Sequence, residues 1–154
     1  MKKRQIILIS GLANVGKTNT VAMLYRNLAA QYLAHEFNRE KVNSSQISGI
    51  VSGFDFNAKF TLKNGKTLVL ISRGDYIEDT KADIKEFCDA DIFVITEQVS
   101  PRKKPVLDYI LSELYPQNFR LALHFNLLKR EDMSETTEMQ TNIVDCIVGV
   151  LSKL

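Results

Sequence analysis

The sequence predicts an α/β fold: a three-layer α/β/α sandwich around a mostly parallel sheet with one antiparallel strand. Three observations carry that expectation. Short continuous apolar runs such as Ile6-Ile7-Leu8-Ile9 are of the kind buried on both faces of a parallel sheet. Those runs alternate with stretches whose apolar residues fall at helical spacing, which is the pattern of strands joined by crossover helices. The dipeptide Asn64-Gly65 between two strand-like runs is a strong hairpin signal, and it turns one strand against the rest.

The elements follow in order. Arg4 to Ser10 reads as the first strand, and Val21, Leu24, Leu28 and Tyr32 mark a helix from Lys17 to about Leu33. Asn38 to Ser48 is polar and reads as loosely structured. Phe56 to Leu62 and Lys66 to Ser72 form the hairpin, and Ile77, Ile84, Phe87 and Cys88 mark a second helix. Asp91 to Thr96 is the next buried strand. Val106, Leu107, Ile110, Leu111 and Leu114 then stripe a third helix, which Pro116 stops. Phe119 to Phe125 is a strand, and Ile143, Ile147, Val150 and Leu154 stripe the last helix, with Ser134 or Thr136 as its expected start.

Composition bounds the function. The 154 residues suit one domain, residues 1–154, with a real core. A net charge of +2 gives no indication of nucleic-acid binding, and the basic cluster Lys2-Lys3-Arg4 reads as a solvated N-terminus. The apolar stretches are strand-sized, so no membrane partner is expected. Cys88 and Cys146 lack metal-ligand spacing and fall in expected helices; with no signal peptide in view, a reduced, cytoplasmic setting is the expectation.

Residues 11 to 18 read Gly-Leu-Ala-Asn-Val-Gly-Lys-Thr, matching G-x-x-x-x-G-K-[ST] between a strand and a helix. The glycines let backbone N–H groups turn inward around an anion, and the helix adds its positive end. Lys17 would reach the β- and γ-phosphates of a nucleoside triphosphate, and the Thr18 hydroxyl would ligate Mg²⁺. The expected ligand contacts are Gly11, Asn14, Val15, Gly16, Lys17, Thr18 and Asn19.

In an open parallel sheet, ligands sit at the carboxyl ends of the strands. That rule brings Ser72-Arg73-Gly74-Asp75, Phe54-Asp55, Glu97-Gln98 and Asn126 to the same edge, with Lys129-Arg130 beyond Asn126. No in-strand carboxylate is available for magnesium, so Ser72 and Asp75 join Thr18 as expected metal positions. Asp75 could equally cap the helix at Ile77. Asp75 or Asp55 would orient water or an acceptor, and Arg102, in the basic run Arg102-Lys103-Lys104, would neutralise charge. Arg73 reads as solvated surface, and Asp89 and Asp91 fall at the opposite end of the sheet.

Thr80-Lys81-Ala82-Asp83 is similar to the guanine-reading signature of GTPases but falls inside an expected helix. The D-x-x-G of that family is replaced by Ile71-Ser72-Arg73-Gly74, so ATP is favoured over GTP. On Gly11–Thr18, the Asp55-Phe56 pair and Ile71–Tyr76, the chain resembles the P-loop nucleoside triphosphate hydrolases. It is most similar to small bacterial ATP-binding proteins with a strand-Ser-x-Gly-Asp-Tyr segment after an antiparallel hairpin. The resemblance spans almost the whole chain in fold, but only the phosphate loop transfers roles residue by residue. It implies ATP and Mg²⁺ as ligands. The expected function is an Mg-dependent ATPase, or a kinase-like phosphotransferase with a small-molecule acceptor. The alternative is a nucleotide-dependent switch of GTPase-like architecture, hydrolysing slowly and acting through a protein partner.

Overall fold

The computed structural model describes residues 3–12, 15–46, 55–73 and 76–154. A seven-stranded sheet organises it, in the order β3-β2-β4-β5-β6-β1-β7. The strands are β1 (Arg4–Gly11), β2 (Ala34–Phe37), β3 (Glu40–Asn43), β4 (Asn57–Thr61), β5 (Thr67–Ile71), β6 (Ile92–Gln98) and β7 (Phe119–Leu127). The helices are α1 (Lys17–Gln31), α2 (Ile77–Glu86), α3 (Pro105–Tyr109) and α4 (Met133–Leu151). A π-helical turn, Ile110–Leu114, and a 3-10 turn containing Pro116 prolong α3.

β5, β6, β1 and β7 are mutually parallel. β4 runs against β5, β2 against β4, and β3 against β2. Two strands, β3 and β4, therefore oppose the other five, where the sequence predicted one. The difference lies in residues 34–43, of which 34–37 were assigned no element and 38–43 fell in the stretch read as loosely structured. They form a β2–β3 hairpin whose two turn residues, Asn38 and Arg39, both have positive φ, the backbone a two-residue hairpin turn requires. Asn38 makes it legible only in retrospect. Its N–H donates to the Asn57 carbonyl at 2.8 Å, and its side-chain oxygen accepts from the Asn57 N–H at 3.0 Å. β3 is short, charged and half-exposed, as suits the edge of a sheet.

Alternation along β1 builds two cores. Ile7 and Ile9 pack with Val21, Leu24 and Leu28 of α1 and with Ile143, Val144 and Ile147 of α4. Ile6 and Leu8 point the other way, toward Ile84 and Phe87 beside α2 and Val106 and Ile110 of the α3 segment. Each such fully buried aliphatic contributes roughly 1.5–3 kcal/mol. An aromatic group fastens the antiparallel end to α1: His35 stacks on Phe60 with ring centroids 4.7 Å apart and meets the Tyr25 hydroxyl at 2.7 Å. The His35 Nδ1 faces the carbonyls of Tyr32 and Leu33, so Nδ1 carries the proton and Nε2 accepts from Tyr25.

Arg4 departs from its expected solvated role. It donates from Nε to the Ala90 carbonyl at 2.7 Å and lies 4.4 Å from the Phe119 ring centroid, so it packs as a cation over an aromatic face. α4 starts one residue before Ser134: Asp132 is its N-cap and accepts from the Ser134 N–H at 2.8 Å. Among the described residues, no helix is long and apolar enough to cross a membrane.

Candidate functional site

The loop between β1 and α1 lies at the carboxyl end of the central strand, where Gly11 pairs with Gln98 of β6 and Leu127 of β7. Its two glycines serve different needs. A Cβ on Gly11 would stand 2.5 Å from Val15 Cγ2 and 3.3 Å from the Leu127 backbone oxygen, so close approach excludes a side chain. Gly16 has φ 98°, a left-handed conformation that L residues resist. Its carbonyl accepts from the Thr20 N–H, the Thr20 hydroxyl at 2.8 Å and Gln140 Nε2 at 3.1 Å. The turn into α1 is thereby held from both α1 and α4.

Among the described residues no side chain caps α1, whose N-cap is Gly16, and no acidic residue occupies its first turn. The start of α1 also carries the positive end of the helix dipole. Lys17 is buried and donates from Nζ to the Leu12 carbonyl at 2.7 Å, closing the loop on itself. Thr18 is half-buried, Asn19 is exposed, and the Val15 side chain is buried in the core. Val15 can offer a ligand only its backbone. Asn14 lies outside the described residues.

The other expected positions divide. Asp75, Gly74 and Phe54 lie outside the described residues, and Asp55 is exposed just before β4. The Ser72 hydroxyl is already engaged: it accepts from the Phe56 N–H at 2.7 Å and donates to the Phe56 carbonyl at 3.1 Å. It ties β4 to β5 rather than facing a metal. Arg102 is exposed in the Val99–Lys104 loop, which is anchored to the cradle by the Val99 N–H on the Gly11 carbonyl at 3.0 Å. Thr80–Asp83 does fall inside α2. There Thr80 donates to the Arg73 carbonyl, and Asp83 pairs with Arg39 at 3.2 Å. Burial raises the Asp83 pKa, opposed by Arg73 and Arg39. Asp89 and Asp91 serve the far end, on Lys59 and on the Thr67 N–H. No group of three or more His, Cys, Asp or Glu suited to a metal occurs among the described residues.

The structure adds a constellation that sequence reasoning missed. Ser10, Glu97 and His124 come from three adjacent strands. The Ser10 hydroxyl donates to Glu97 Oε1 at 2.8 Å and accepts from His124 Nε2 at 2.8 Å, which places a proton on that nitrogen. Glu97 Oε2 accepts from the Leu107 N–H at 2.7 Å, so a fully buried strand carboxylate caps α3, whose own N-cap residue, Lys104, makes no capping bond. Burial pulls the His124 pKa below its ordinary value, Glu97 pulls it up, and Lys104 pulls it down. The one sequence signal was a charge at the end of an otherwise apolar run.

Comparison with known proteins returned a relative named tRNA (guanine(37)-N(1))-methyltransferase, from Danio rerio. It is 27% identical over 128 residues, 80% of this chain and 24% of the relative. The chain thus spans about a quarter of the length of the curated relative it matches. No family model matches, and no solved structure matches.

These findings correct the expectation of a P-loop hydrolase, phosphotransferase or nucleotide switch using ATP or GTP with Mg²⁺. The relative carries the name of a methyltransferase, and no family model places the chain in that superfamily. The physical reason is local. Eight residues with two glycines specify a backbone shape and a charge preference, and neither determines which reaction follows.

Proposed function

We propose that residues 1–154 act as one three-layer ligand-binding domain that seats an oxyanion, phosphate or carboxylate, in the loop from Gly11 to Asn19. The observation that carries this reading is the uncapped start of α1 behind a left-handed Gly16, with the Lys17 ammonium folded over the same loop. Backbone N–H groups of Gly16, Thr18 and Asn19 would bind the anion, with the Thr18 hydroxyl beside them and the Lys17 side chain adding charge. The Arg102 loop would supply further positive potential at the rim. The exposed, unpaired thiols Cys88 and Cys146 support a reducing, cytoplasmic setting.

A second reading is favoured by the name of the relative: the domain contributes to methyl transfer on RNA, and the seated group belongs to the methyl donor. Titration calorimetry separates the two. Inorganic pyrophosphate tests the cradle as such, and S-adenosylmethionine, which carries a carboxylate, tests the methyl-transfer version. Whichever anion binds, Lys17→Ala should weaken it by about tenfold or more, the loss of one charge-assisted contact. Undiminished binding by that variant sinks the proposal.

A further inference from the structure

Among the described residues, the buried serine and threonine hydroxyls have partners, with one exception. Ser10, Thr20, Ser72 and Thr80 each make the bonds given above. Thr96 is 1% exposed, and its Oγ1 has no hydrogen-bond partner among the described residues. A buried hydroxyl without a partner costs stability, so its retention calls for a reason.

Its place in the fold supplies one. Thr96 pairs with Ile9, two positions below the Gln98–Gly11 pair that opens the loop. Alternation along β6 sets it on the face of Ile92 and Val94, which share a core with Ile7, Ile9 and α1. It therefore stands on the floor of the sheet where α1 begins, on the side from which the loop closes. Asn57 Oδ1 and Asp83 Oδ2 are also buried without partners. Neither has this placement: Asn57 alternates with Ala58 and Phe60 of that core, and Asp83 sits on α2, across the sheet.

We infer that Thr96 is a ligand contact of the cradle, its hydroxyl donating to an oxygen of the seated oxyanion from below while the loop amides grip from above. This rests on the oxyanion reading and adds a residue to it. A buried hydroxyl without a protein partner gains its bond when the anion arrives. Binding then gains the bond without having to displace an existing one.

The test uses two near-isosteric changes and the full chain. Thr96→Val should raise the melting temperature of the ligand-free protein, by about 1–4 °C, because it removes an unsatisfied hydroxyl while preserving shape. The same variant should weaken whichever probe binds, pyrophosphate or S-adenosylmethionine, by roughly tenfold. Thr96→Ser should bind within about threefold of the parent. A structural role would move stability and affinity down together, so a Thr96→Val protein that melts several degrees lower overturns the inference. Binding that is lost in Lys17→Ala and unchanged in Thr96→Val overturns it too, and leaves the cradle standing. If the parent protein gives no heat with either probe, the cradle and the Thr96 contact fall together.

Discussion

Two polar groups sit at the same strand ends on opposite faces of one sheet, and they are built on opposite principles. Under α3, Ser10, Glu97, His124 and the Leu107 N–H form a network in which both carboxylate oxygens have donors. On the α1 face, Thr96 lacks a partner among the described residues, and the first turn of α1 has no capping side chain. A satisfied network holds structure in place; a buried hydroxyl without a protein partner costs stability where it stands. The difference locates the candidate site more sharply than any single residue does.

The largest expected effect is on the satisfied side. Glu97→Ala removes the cap of α3 and leaves the Ser10 hydroxyl and the Leu107 N–H without their acceptor, so unfolding in urea should show a loss of roughly 2–4 kcal/mol. Glu97→Gln, which can still accept from Leu107, should lose distinctly less. Equal losses would mean that the network does not act through its carboxylate.

A smaller effect is expected at the backbone of the open side. Gly16→Ala forces a Cβ onto φ 98° and to within 2.5 Å of Gln140 Nε2. It should cost about 1–3 kcal/mol. The double variant with Gln140→Ala should recover only the part due to the clash. Full recovery would show that the left-handed backbone carries no strain.

The smallest effect concerns pH. The folded pKa of His124 lies below its unfolded value, chiefly through burial, so the fold favours the neutral ring. Its contribution to stability is complete above the unfolded pKa, about 6.5, and is lost as pH falls through the lower folded value. Melting temperature followed downward from pH 7 should therefore fall more steeply in the parent than in His124→Gln. Identical profiles would exclude His124 from the balance.

The sequence was legible where side chain and backbone requirements coincide within a few residues. The apolar runs of β1 and β6 and the Asn64-Gly65 turn are of this kind, and each was found in place. The β2–β3 hairpin was not legible. Its strands are four residues long and partly charged, and Arg39 takes a left-handed backbone that its type disfavours. Of the candidate site, the loop could be read directly. Ser72 was misjudged because its bonds to Phe56 depend on strand pairing.

What the chain order alone determined is most of the succession of strands and helices and the glycines that bound the loop before α1, since these follow from short-range sterics and periodicity. Only the folded structure decided that Glu97 is consumed as a helix cap, that Ser72 serves a hairpin, and that Thr96 remains unpaired beside the loop. Hydrogen-bond satisfaction is settled between groups up to 124 residues apart, so the packing of strands and helices decides which polar residues keep a partner and which do not.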